Sequence, residues 1–463
     1  MSKTVTPCVP ALLCVFAFAG CSDREQAAVA GSPGASPSLP DVRTNHEPAA
    51  TTKPVAGLAP DARNLPVPAF ADDDPALLRA RRVLRHAPLF DGHNDLVWEI
   101  RRAPAAPMDV AAYDLRSRTR GHTDLARLAE GGVGGQFWSV YVPGEFADSG
   151  YARLQLEEID IARRVIARYP ELELALTASD VESAIASGKI ASLIGMEGGH
   201  ALENSLGALR AYYALGVRCM TLTHNVTLDW ADAAMDKPRH GGLTPFGEEV
   251  VREMNRLGML VDLSHASPGT MSDALNVTEA PVIFSHSSAR ALTDVPRNVP
   301  DSILARIPAN RGVVMATFVQ PFVYTPAAEW EDAFERLKAD LESRGLPASE
   351  VEALLDAYRA RNPRPVASIQ DIADHIDHIR GIVGVDHVGI GSDFDGMTAP
   401  PQLADVSQYP YLFAELVQRG WTDEDLAKLA SVNILRVMRE AEEVARRLQD
   451  ERPASTRTIT SPP

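Results

Sequence analysis

Eight short apolar runs with Gly, Pro or polar edges constrain this chain more than any other feature. They occupy residues 88–93, 132–142, 190–197, 217–224, 258–265, 281–286, 312–319 and 387–393. Most are separated by stretches with helical periodicity, at 154–169, 206–215, 245–257, 268–275 and 369–383. Strands buried on both faces read as continuous Val/Ile/Leu runs, which is the pattern of a parallel sheet. Strand and helix alternating eight times predict an α/β fold, a (β/α)8 barrel of the TIM type over residues 75–448. The largest insertion would be 320–365, between the seventh and eighth runs. Its charged helical stretch 328–360 reads as a lid or an outer helical hairpin.

The remaining segments read as export and tethering. Residues 1–20 carry Lys3 and the apolar run from Val9 to Ala19, too short to span a membrane, and end just before Cys21. This resembles a bacterial lipoprotein signal, cleaved before a cysteine that is then lipidated. Residues 21–74 turn to Ala, Pro, Ser, Gly and Thr without hydrophobic period, the composition of a disordered tether. Residues 449–463 read as a loose tail. The expected location is the bacterial cell envelope, lipid-anchored and facing the periplasm, with Ser22 after the cysteine pointing to the outer membrane. Of four cysteines, Cys8 and Cys14 leave with the signal and Cys21 is acylated, so Cys219 is left without a disulfide partner. Removing Lys3 takes the net charge from −17 to −18, which argues against nucleic acid and against charge-driven binding to anionic lipid.

In a barrel of this kind the active site lies at the carboxyl ends of the strands. The chain's polar residues collect there: His93 and Asp95 after the first run, then Glu197, His224, His265, His286 and Asp393 at later run ends. His-x-Asp places both side chains on one face of a strand, a half-site for a divalent metal such as zinc. Three histidines and two carboxylates exceed one tetrahedral zinc, so two metals are the economical reading. None of Lys3, Lys53, Lys189, Lys237, Lys338 and Lys428 ends a run, which leaves Glu197 as the candidate bridging ligand. His200, His375 and His378 are read as structural.

The motifs DGHNDLVW, GMEGGHAL, LTHN with Trp230-Ala231-Asp232, VDLSHAS, IFSHSSAR, RNVPD and HVGIGSDFDG occur in order between Leu89 and Arg439. Together they resemble the membrane dipeptidase (renal dipeptidase) family of zinc peptidases. The resemblance implies a binuclear zinc dipeptidase, with two Zn2+ per chain, on a metal-dependent hydrolase barrel. It places His93 and Asp95 on one zinc, His265 and His286 on the other, and Glu197 between them. His224 would contact the scissile carbonyl, Arg297 the substrate carboxylate, and Asp393 would transfer protons. One departure is Met315-Ala316-Thr317-Phe318-Val319, where relatives commonly carry Asn and Tyr around the Phe.

The implied reaction is attack of a metal-bridging hydroxide on the peptide bond of a small peptide, including dipeptides with a D-residue at the carboxyl side. A cationic pocket completed by Arg297 suits a free α-carboxylate. The rival readings are an amidohydrolase acting on another small amide, lactam or lactone, and a lipoprotein that binds a ligand without turnover. Whether the chain forms a homodimer is left open.

Overall fold

The computed structural model describes residues 65–460. The expected signal at 1–20, the expected lipidation site Cys21 and residues 21–64 of the expected tether lie outside the described residues. The strands are β1 (Leu89–Asn94), β2 (Val133–Tyr141), β3 (Leu172–Leu174), β4 (Ile190–Glu197), β5 (Val217–Thr221), β6 (Leu260–Asp262), β7 (Ile283–Phe284), β8 (Val313–Ala316) and β9 (Val388–Ile390). All pairings between them are parallel. The ladder runs β1–β2–β4–β5–β6–β7–β8–β9 and closes from β9 back to β1, so eight strands form the expected barrel.

The ninth strand, β3, is absent from the sequence reading. It has three residues, Leu-Glu-Leu, and pairs with β4 only at Ile190–Ser192, before β5 joins at Ile194. Several strands are also shorter than their apolar runs. The run 281–286 contains only Ile283–Phe284, 258–265 only Leu260–Asp262, and 387–393 only Val388–Ile390. At two of these ends the cause is backbone conformation: His265 (φ 63°) and Asp393 (φ 71°) turn into the left-handed region, which a strand cannot contain.

Inside the barrel, Phe90, Phe137, Leu193, Cys219, Leu260, Ile283 and Met315 pack in one buried cluster. Side chains alternate along a strand, so Leu193 and Gly195 share a face of β4 with Glu197, and the cluster forms a floor beneath that carboxylate. A Cβ at Gly195 would sit 2.9 Å from Cys219 Sγ, which is why the position above Leu193 carries no side chain. Cys219 is a buried free thiol.

Around the ring the helices start and stop on ordinary local signals. Thr244 caps Pro245–Leu257 through Gly247 N, and Gly258 ends that helix at φ 82°. Ser368 and Asp371 form a capping box on Ile369–Val383. The insertion is a helical hairpin, as expected: Thr325–Ser343 and Ala348–Arg361 share a separate small core of Trp330, Phe334, Leu341, Val351 and Leu355. The last helix, Asn433–Glu451, runs past residue 448, and the segment expected as a loose tail keeps contact with the barrel. There Ser455 N donates to Glu253, and its carbonyl accepts from Arg210. Among the described residues no helix is long and apolar enough to cross a membrane.

Candidate metal centre

Glu197, at the end of β4 and 5% exposed, is the hub of the carboxyl-end face. Its Oε2 accepts a hydrogen bond from Ser139 Oγ at 3.1 Å and stands 3.6 Å from His93 Nε2. Its Oε1 stands 3.0 Å from His265 Nε2, 3.5 Å from His286 Nε2 and 3.7 Å from His224 Nε2. The two oxygens therefore face different sets of nitrogens. His93 Nε2 is also 3.3 Å from Asp95 Oδ2 and 4.0 Å from Asp393 Oδ1. Candidate ligand atoms fall within 4.8 Å of one another in three sets: His93, Glu197 and His286; Glu197, His224 and His265; and His93, Asp95 and Asp393. All five expected ligands are thus brought together, and His224 and Asp393 stand beside them.

Tautomers follow from the outer hydrogen bonds. His265 Nδ1 lies 3.1 Å from Asn225 Oδ1, an acceptor, so Nδ1 carries the proton. Ser285 Oγ has one proton, given to Asp262 Oδ2 at 2.5 Å, so it accepts from His286 Nδ1 at 2.7 Å. Both histidines then present bare Nε2 lone pairs to the centre, and these two atoms are 2.9 Å apart. Burial holds both rings well below their usual pKa, so neither Nε2 is protonated. Two opposed lone pairs call for a cation.

Two further observations fit a metal. His93 Nε2 and Asp95 Oδ1 are buried without a hydrogen-bond partner. Burial works against charge on His93, yet Glu197 and Asp95 outweigh it and push its pKa to about 10, so the electrostatics there favour a positive charge. Nitrogen and carboxylate donors in this number suit zinc.

The centre opens into a cavity of about 490 Å³. Trp98 and Tyr141 form one wall, with the Tyr141 ring tilted against His224 at 4.7 Å between centroids. Val319 and Phe322 form another, while Phe318 is fully buried behind it. The inserted hairpin reaches the same cavity through Glu331 and Arg364, which pair at 2.7 Å. Arg297 lies on this cavity at 2% exposure, donating to Ser287 Oγ (3.3 Å) and to the His286 carbonyl (3.2 Å). Its Nε has no partner, and among the described residues no carboxylate lies within 4.0 Å of it.

The two acids after β9 separate cleanly. Asp393 faces His93, and burial raises its pKa well above the usual carboxylate range. Asp395 is turned to the 122 loop: its Oδ1 accepts from His122 N at 2.5 Å and its own N donates to His122 Nδ1 at 2.8 Å. The histidines read as structural lie apart from the ligand sets. His200 Nε2 meets the Val142 carbonyl, His375 Nδ1 accepts from Ala289 N, and His378 pairs with Asp301. Sequence reasoning did not single out Ser139, Asn225, Asp262 or Ser285. Three of these sit inside the quoted motifs LTHN, VDLSHAS and IFSHSSAR, whereas Ser139 carries no sequence signal at all.

Comparison with known proteins agrees with this geometry. The sequence profile of the membrane dipeptidase family (peptidase family M19) matches residues 77–452. Dipeptidase 3 of Mus musculus is 41% identical over 378 residues, covering 80% of this chain and 68% of that protein. Among solved structures, dipeptidase AC, a metallopeptidase of family M19, is 28% identical with a TM-score of 0.63, covering 76% of this chain and 98% of its own. A metallopeptidase from Rhodobacter sphaeroides, bound to a phosphinate mimic of the dipeptide L-Ala-D-Ala, is 27% identical with a TM-score of 0.62, covering 76% and 99%.

Proposed function

Because the chain belongs to the membrane dipeptidase family, peptidase family M19, and is therefore a metallopeptidase, we propose that it is a binuclear zinc dipeptidase. Its substrates are dipeptides with a free carboxylate, including those with a D-residue at the carboxyl side, as in the ligand of the Rhodobacter relative. The observation that carries the reading is Glu197, whose two oxygens face separate nitrogen sets beside a buried arginine that, among the described residues, has no carboxylate within 4.0 Å. His93 and Asp95 would hold one zinc, His265 and His286 the other, and Glu197 both.

Bound zinc would supply a Lewis acid and a water whose pKa is lowered towards about 7. The protein's own residues do the rest. Arg297 takes the substrate carboxylate in a charge-assisted hydrogen bond and fixes the peptide's register along the cavity. His224, kept neutral by burial with a pKa of about 3, donates an N–H to the scissile carbonyl oxygen as negative charge develops there. Asp393 accepts a proton from the attacking water and delivers it to the leaving amine. In the wider cell, residues 1–20 direct export, Cys21 carries lipid, and the tether holds the barrel on the periplasmic side of the outer membrane.

A dipeptide panel in both stereochemistries, assayed on metal-stripped and zinc-reconstituted protein, tests the activity. Turnover should return with two zinc equivalents. Full activity at one equivalent, or no hydrolysis of any free dipeptide by the two-zinc protein, overturns the reading.

A further inference from the structure

Two fully buried aspartates lie outside the ligand set, and they are built alike. Asp91 on β1 is 0% exposed and Asp262 on β6 is 1% exposed. Each takes both polar groups of one serine on the neighbouring strand's end. Ser392 gives its N to Asp91 Oδ1 (2.8 Å) and its Oγ to Oδ2 (2.7 Å). Ser285 gives its N to Asp262 Oδ1 (2.9 Å) and its Oγ to Oδ2 (2.5 Å). Each aspartate also accepts from the backbone N two residues ahead, His93 at 3.4 Å and Ser264 at 3.1 Å. One further hydroxyl joins each set, Tyr409 on Asp91 and Thr221 on Asp262, both at 2.7 Å, and Asp91 Oδ2 also accepts from Gln136 Nε2 at 3.2 Å. Among the described residues neither carboxylate has a cation within 4.0 Å, so packing alone gives no reason to bury these charges.

The position of the serines supplies the reason. Ser392 immediately precedes Asp393, and Ser285 immediately precedes His286. β9 ends at Ile390 and β7 at Phe284, so both residues lie beyond their strands, with one backbone N–H tie each: Asp393 N donates to the His93 carbonyl at 3.2 Å and His286 N to Ser264 Oγ at 3.0 Å. A carboxylate accepting two hydrogen bonds from one residue fixes that residue's distance and orientation together, and such charge-assisted bonds are the strong ones. We propose that Asp91–Ser392 and Asp262–Ser285 are two separate positioning clamps. The first sets Asp393 against His93, across β1 and β9. The second sets His286 against His265, across β6 and β7, and fixes the His286 tautomer through Ser285 Oγ. Neither pair touches substrate. The proposal rests on the binuclear dipeptidase reading for its roles, but the clamps make separable predictions.

The test uses the full chain with Ser285→Ala and Ser392→Ala, and Ser285→Thr and Ser392→Thr as variants that keep the hydroxyl. Zinc affinity is read by chelator competition, alongside kcat, KM and thermal unfolding. Ser285→Ala should weaken one of two zinc equivalents by about 10- to 100-fold and leave the other unchanged. Ser392→Ala should keep both zinc affinities while kcat falls about 10-fold or more at unchanged KM. Both Thr variants should recover most of each loss. The proposal is overturned if Ser285→Ala keeps both affinities, if Ser392→Ala loses zinc in step with kcat, or if the Thr and Ala variants behave alike. The zinc titration needs no substrate, so the second clamp is decided even if the wild type hydrolyses no dipeptide.

Discussion

Replacing Arg297 by methionine separates a binding arginine from a structural one, because the two roles predict opposite results. The side chain is 2% exposed, makes two long hydrogen bonds of 3.3 and 3.2 Å, and leaves Nε bare. Burial depresses its pKa from 12.5 to about 10, which at about 1.4 kcal/mol per pH unit is a cost on the order of 3 kcal/mol to the folded state. The group is a base with a lowered pKa, so its charged form is the penalised one. The cost is full below pH 10 and fades as pH rises from 10 to 12.5. Arg297→Met removes that cost and two hydrogen bonds worth about 1 kcal/mol each, so its ligand-free stability should lie within about 1 kcal/mol of wild type, on the stable side. Truncating one member of a buried ion pair would instead destabilise by about 3–5 kcal/mol. Against a free dipeptide, losing the contact should cost about 2–5 kcal/mol. That is roughly 30- to 4,000-fold in kcat/KM, whereas C-terminal amides should lose little. Urea unfolding and paired kinetics on acid and amide substrates measure both. A marked loss of stability with equal losses on acid and amide would refute the reasoning and make Arg297 structural.

The acids after β9 give a second prediction. Asp393→Asn should lower turnover by about 10²- to 10⁴-fold with both zinc ions retained, while Asp395→Asn, which disturbs the 122 loop, should act first on stability. Zinc content measured beside kcat decides it, and near-normal turnover in Asp393→Asn with a dead Asp395→Asn would reverse the assignment. For the anchor, Cys21→Ala should move the protein from the membrane to the soluble periplasmic fraction with its activity intact. Unchanged membrane association on fractionation would exclude a lipid at that residue.

The barrel was legible because each of its eight strands falls on an apolar run, and six of those runs end in His, Glu or Asp at the active-site end. β3 was not, since three residues give no period to read. Strand ends were overestimated for a related reason: polar residues in Asp-Leu-Ser-His265 and Ser-His286 extend an apolar run in the sequence, while the backbone has already left the ladder. Ligand identities were legible through residue type and motif order. The outer groups were not, because Ser139 and Asn225 act through single hydrogen bonds that no spacing announces. Strand alternation would point Asp393 and Asp395 in similar directions. Both residues have positive φ (71° and 67°), so the alternation does not apply, and one faces His93 while the other faces His122.

These differences have a common physical origin in how far each strand ladder extends. β4 and β1 are eight and six residues long and carry Glu197 at the last position and His93 at the penultimate one, and Glu197 is still in register with Tyr141 on β2 and Thr221 on β5. β6, β7 and β9 have three, two and three residues, and His265, His286 and Asp393 lie two or three residues beyond their ends. Two of those three are also left-handed, a conformation that costs a non-glycine residue roughly 1 kcal/mol or more and persists only where surrounding contacts over-determine it. Two of these ends are flanked by a buried aspartate on the neighbouring strand: Asp262 on β6 beside the end of β7, and Asp91 on β1 beside the end of β9. A barrel whose ladder stops early leaves its mouth free to place ligands at distances a sheet would forbid, here two imidazole nitrogens 2.9 Å apart. The same freedom makes those ligands dependent on side-chain hydrogen bonds for their position. Perturbing hydroxyls at the ends of β7 and β9 should therefore alter the centre more than equally conservative changes within β4, although the β4 residues are as deeply buried.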